Sequence, residues 1–91
     1  MNAGADERVV DARGLLCPAP VIRLAAAARE EPAGAVLRVL WTDPAARYDI
    51  PAWARMRGHN VLGTTPLETA EGEDTPAANE TRVQLAITSD E

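Results

Sequence analysis

The chain has 91 residues, room for one hydrophobic core and not for two. Apolar residues make up 46%, enough for a globular domain, while 14 acidic residues against nine arginines and no lysine leave a net charge of −5. Counterion release then has little to act on, so nucleic acid is not an expected partner. No run approaches the ~20 apolar residues of a membrane span, so the membrane is not one either.

Residues 1–7 are polar and acidic, read as a frayed tail rather than a secretory leader, and residues 8–91 as a single domain. A single cysteine, Cys17, cannot form an internal disulfide, which suits a reducing compartment and places the expectation in the cytoplasm. Arg8–Asp11 reads as a short strand, followed by the loop Ala12–Leu16. Pro18 opens a helix, since proline suits a first turn whose N–H groups lack partners anyway. Val21, Leu24, Ala25 and Ala28 then recur at helical spacing, and Pro32-Ala33-Gly34 ends the pattern.

Ala35–Trp41 is apolar except for Arg38 and reads as a central strand. Thr42-Asp43-Pro44 is a stop and a turn. Asp49-Ile50-Pro51 reads as the start of a second helix running to about Arg57, with Gly58 just beyond it. Asn60–Thr69 reads as a third strand and 70–79 as an acidic loop. Arg82–Thr88 alternates, with Val83, Leu85 and Ile87 on one face, as in a half-buried fourth strand. The order β-α-β-α-β-β predicts an α+β fold: a two-layer α/β sandwich with a four-stranded mixed sheet and two helices on one face.

The chemistry is expected at Cys17. A thiol just ahead of a helix-opening proline falls at about the N-cap, where unpaired N–H groups and the helix dipole favour a thiolate. Such positions lower a cysteine pKa from about 8.5 to roughly 3.5–7.5. Pro20 stands where a Cys-x-x-Cys motif would place its second thiol, so whatever Cys17 acquires must go to another molecule. Pro18 and Pro20 stiffen the turn, and Gly14 and Arg13 lie in the loop that delivers the sulfur.

The stretch Asp11-Ala12-Arg13-Gly14-Leu15-Leu16-Cys17-Pro18-Ala19-Pro20-Val21 resembles the signature of the TusA/SirA-like sulfur-carrier family, whose core is Gly-Leu-x-Cys-Pro-x-Pro. The similarity continues through Asp43-Pro44-Ala45 and Asp49-Ile50-Pro51 and covers roughly residues 8–88. The resemblance implies the same sandwich and a cysteine that accepts sulfane sulfur as a persulfide and relays it. Implied partners are cysteine desulfurases, rhodanese-like proteins and DsrE-type sulfurtransferases. It also leans to a monomer; a carrier of this kind needs no cofactor, and one cysteine with one histidine falls short of a tetrahedral metal site. Two departures stand out. The helix after Pro51 carries Ala52-Trp53-Ala54 where some members have a second cysteine, and Ala19 stands where an acidic side chain is common.

Asp43 and Asp49 each precede a proline-containing helix start and are read as caps. His59 is read as a solvated residue at a helix C-terminus, Trp53 as core, and Arg23 with Arg13 as surface charge or a contact for an acidic partner. The competing function is a non-catalytic regulatory or adaptor module that keeps the motif for its shape.

Overall fold

Alternation sets the sheet. In β1 (Arg8–Ala12) Val10 and Ala12 point inward, and in β2 (Val36–Trp41) Leu37, Val39 and Trp41 do so. The computed structural model describes residues 7–67 and 78–86. Between these strands runs α1 (Ala19–Arg29), which buries Pro20, Leu24 and Ala27. After β2 come α2 (Ala46–Arg57), which buries Ala46, Ile50 and Ala54, then β3 (Asn60–Pro66) and β4 (Asn79–Gln84). The four strands form one mixed sheet in the order β1-β2-β4-β3.

β1 and β2 pair in parallel across α1, while β4 runs antiparallel between β2 and β3. α1 packs on β1 and β2, α2 on β3 and β4, and the helices touch each other. This is the expected β-α-β-α-β-β sandwich with both helices on one face. Its core joins Leu24, Ile50 and Ala54 to Val10, Leu37, Val39, Trp41 and Val83. Burying each large aliphatic side chain contributes about 1.5–3 kcal/mol. The indole N–H of Trp41 donates to Thr81 Oγ1 at 2.9 Å, and the Thr64 hydroxyl lies 3.0 Å from the same oxygen. On the other face of the sheet Glu80 holds Arg38 and Glu7 holds Arg82, each at 2.7 Å.

Two boundaries differ from expectation. α2 begins at Ala46, three residues before Asp49, because the Asp43 carboxylate and carbonyl accept the N–H groups of Ala45 and Ala46 and turn the chain at once. Pro51 therefore lies inside the helix. Asp49 stands in its first turn and caps nothing. β4 begins at Asn79 rather than Arg82, drawn in by Thr81, which is fully buried. The inward alternation of Val83 and Leu85 is as expected; Ile87, Thr88 and most of the acidic loop lie outside the described residues, as do residues 1–6.

Because β1 and β2 are parallel neighbours, both end at the same edge of the sheet, and α1 and α2 both start there. The loop after β1 carries Cys17 and the turn after β2 carries Asp43. The topology alone brings these two segments together.

Candidate functional site at the Cys17 loop

Gly14 takes a φ of 81°, a left-handed conformation that glycine adopts without steric penalty. Its N–H donates to Thr42 Oγ1 at 2.8 Å, the first tie between the loop and the turn after β2. The second is stronger: the Cys17 N–H donates to Asp43 Oδ2 at 2.7 Å while Asp43 Oδ1 accepts the Ala45 N–H at 3.0 Å. One carboxylate thus fixes the thiol-bearing loop and starts α2. Both hydrogen bonds hold the Asp43 carboxyl below the usual carboxylate range. The turn between the loop and α1 contains a cis peptide bond at Cys17–Pro18.

Arg13 does not reach toward the sulfur. Its guanidinium clamps Asp11 at 2.9 and 2.8 Å and its N–H bonds the same carboxylate, which drives the Asp11 pKa down to about 2. Arg23 is exposed on α1. Pro20 is buried, anchoring the first turn of the helix, while Pro18 is exposed and forms the N-cap.

The thiol itself departs most from expectation. Cys17 is half-buried, free, and packed against the edge of the core. It lies one residue before the N-cap, and most of the donors expected to favour a thiolate are spent or missing. The Cys17 N–H goes to Asp43, the Ala19 N–H goes to the Leu16 carbonyl at 2.9 Å, and Pro18 and Pro20 have none. Burial pushes the thiol up first, hydrogen bonding of its protonated form to Asp49 adds to this, and the charges of Asp49 and Asp43 complete it; the pKa rises to about 11. At rest Cys17 is a thiol.

Asp49, expected as a helix cap near the site, has a different role: the three-residue extension of α2 carries it into the first turn, where its carboxylate acts on the thiol. Leu16, the residue before the thiol, is largely exposed, as are Ile22 on α1 and Tyr48 on α2.

His59 is half-buried and lies away from Cys17. It follows α2 at the far end of the helix layer, where Nδ1 accepts the Ala86 N–H at 2.9 Å and the ring tilts against Trp53, 5.0 Å between centroids. Burial and the nearby Arg57 lower its pKa. Among the described residues no three His, Cys, Asp or Glu side chains cluster as metal ligands would, and no helix is long and apolar enough to cross a membrane.

Comparison with known proteins points the same way as the motif. YrkI of Bacillus subtilis (strain 168) is 41% identical over 59 residues, 65% of this chain and 79% of that one. The sulfur carrier protein TusA of Pseudomonas entomophila (strain L48) is 47% identical over 57 residues, 63% of this chain and 71% of that one. A SirA-like protein from Desulfitobacterium hafniense superposes with a TM-score of 0.63 at 29% identity, over 86% of this chain and 96% of that one. The model of the sulfurtransferase TusA family matches residues 8–73, and with that span the chain belongs to this family.

Proposed function

We propose that the chain is a sulfur carrier: Cys17 accepts sulfane sulfur as a persulfide and relays it from a donor protein to an acceptor protein. The observation that carries this reading is the placement of the chain's one cysteine, on a loop stapled by Asp43 within the segment that matches the family. In the loading step a donor R–S–SH and the Cys17 thiol give R–SH and Cys17–S–SH. The outer sulfur moves, one S–S bond breaks as another forms, and no net oxidation occurs. An acceptor thiol repeats the exchange on the outer sulfur and restores Cys17–SH.

The raised thiol pKa shapes how this runs. The nucleophile is the thiolate, and a group titrating at about 11 is ionised in about one molecule in 10⁴ at pH 7. The free carrier is therefore sluggish. A partner that brings a base or a positive charge to the sulfur, or moves Asp49 aside, raises that fraction as it docks. Transfer is confined to the complex, which protects the thiol from stray electrophiles. Cysteine desulfurases, rhodanese-like proteins and DsrE-type sulfurtransferases are the partner classes we assign, in the cytoplasm.

One observation favours a second reading. A cysteine held protonated suits a regulatory or adaptor module that uses the motif for shape alone. Incubation with a persulfide donor followed by intact-mass measurement separates the two. The carrier gains the mass of one sulfur atom, reversed by a reductant and absent in Cys17→Ala. A wild-type chain that gains none, alone and with a cysteine desulfurase present, ends the carrier reading.

A further inference from the structure

At the end of the helix layer remote from Cys17, α1 and α2 part to leave an open groove of about 290 Å³ lined by Ala25, Ala28, Arg29, Trp53, Arg57 and His59. Its chemistry runs against that of the chain. On a molecule of net charge −5, the groove sets one guanidinium on each wall over a floor of small and aromatic side chains. Among the described residues neither Arg29 nor Arg57 is held by a carboxylate; the neighbouring Glu30 and Glu31 are both turned to Arg8, at 2.8 and 3.1 Å. His59 adds a third donor. With Nδ1 accepting the Ala86 N–H, its ring proton sits on Nε2. Alanines at 25 and 28 leave the space that longer side chains would fill.

We propose that this groove is a docking site for an acidic segment of a partner protein, with carboxylates seated on Arg29 and Arg57. The inference rests on the carrier reading, which requires protein partners, and adds a second point of contact to the one at the thiol. The two contacts suit a single partner. Asp49, Trp53 and Arg57 recur every four residues on one side of α2, so the groove's Arg57 lies about 12 Å along the helix from the carboxylate beside Cys17. About four extended residues span that distance. A segment with several carboxylates can bridge guanidiniums on two helices, which one small anion cannot do as well. The charge match gives orientation: the acidic segment goes to the basic end, so the partner's reactive group is brought to the thiol end.

The test uses fluorescence anisotropy of a fluorescein-labelled hexaglutamate peptide at low salt. Binding to the wild-type chain is expected, with hexaglutamine inert, and the affinity falls roughly tenfold or more in Arg29→Ala/Arg57→Ala. Ala28→Glu, which puts a carboxylate into the groove, weakens it likewise. Equal binding by the double-alanine variant overturns the proposal, as does no binding by wild type. Competition by free glutarate as strong, per carboxylate, as the peptide shows a simple anion site and also overturns it. So does a gain in peptide affinity of tenfold or more on deleting residues 87–91, because the occupant is then the chain's own Asp90 and Glu91. Loading of Cys17 by glutathione persulfide is measured in parallel and is expected to survive in the double variant. Failure of the wild type to load, both with this small donor at pH 10 and with a cysteine desulfurase, defeats the carrier reading alone, whatever the peptide does.

Discussion

Cys17 shows how far one residue's neighbours can reverse the tendency of its position. A helix N-terminus favours anions because its N–H groups are unpaired. Here two prolines remove donors, Asp43 and the Leu16 carbonyl take the N–H groups of Cys17 and Ala19, and a second carboxylate, Asp49, acts on the sulfur. Everything in the sequence about Cys17 itself was legible: its solitude, its prolines and its loop. The carboxylate beside it was not, because Asp49 lies 32 positions away, and which side of α2 it faces depends on where that helix starts. Asp49→Asn removes a charge and an acceptor for the thiol proton while keeping the shape. The expected result is a Cys17 titration midpoint about one pH unit lower and roughly tenfold faster alkylation by iodoacetamide at pH 8. An unchanged midpoint means burial alone holds the thiol protonated. Arg13→Ala is expected to leave the alkylation rate nearly unchanged, since Arg13 is spent on Asp11 rather than on the sulfur.

The elements were legible where periodicity was strong and uncertain where a single hydrogen bond decided. Leu24 and Ala28, or Leu37 and Val39, announce a helix and a strand by spacing. The start of α2 is set instead by Asp43, whose side chain turns the backbone at Ala45 and makes Asp49 interior. The start of β4 is set by Thr81, a residue that the sequence reading leaves between the acidic loop and the strand. Its hydroxyl is buried between the Trp41 indole N–H and the Thr64 hydroxyl, a link that ties β2, β4 and β3 together. Thr81→Val keeps the volume and strands the indole N–H in the core. The expected loss is about 1–3 kcal/mol in urea unfolding with an unchanged m-value. Thr81→Ser, which retains the hydroxyl, is expected to lose clearly less. If the two variants are equally destabilised, packing of the methyl group and not the hydrogen bond supports this junction.

For the whole molecule, the titrating groups combine into a stability profile with two sloping limbs. Stability rises with pH wherever the unfolded chain binds more protons than the folded one. His59 and the carboxylates of Glu80, Asp43 and Asp11 all titrate lower when folded, the last at about 2. Each therefore gives up protons on folding, and its stabilisation is lost as pH falls, first below the ordinary histidine value of 6.5 and then from the ordinary carboxylate values of 4.5 and 3.8 toward 2. Cys17 acts in the opposite sense. Its folded pKa lies above its ordinary value, so its contribution is complete below 9.0 and is lost as pH rises from 9.0 toward 11. The outcome is a plateau between about pH 6.5 and 9, set by residues drawn from both faces and both ends of the sheet. Thermal melts across pH 2–11 are expected to show both limbs, and Cys17→Ser is expected to flatten the alkaline one while leaving the acid one in place. If Cys17 carries sulfur as proposed, persulfide loading is expected to run faster at pH 10 than at pH 7, because the thiolate is more populated. On the carrier reading proposed above, the chain is most stable where its thiol reacts least, so its activity depends on a partner that changes the surroundings of the sulfur. If the free chain instead loads fully and rapidly at pH 7, that dependence on a partner fails.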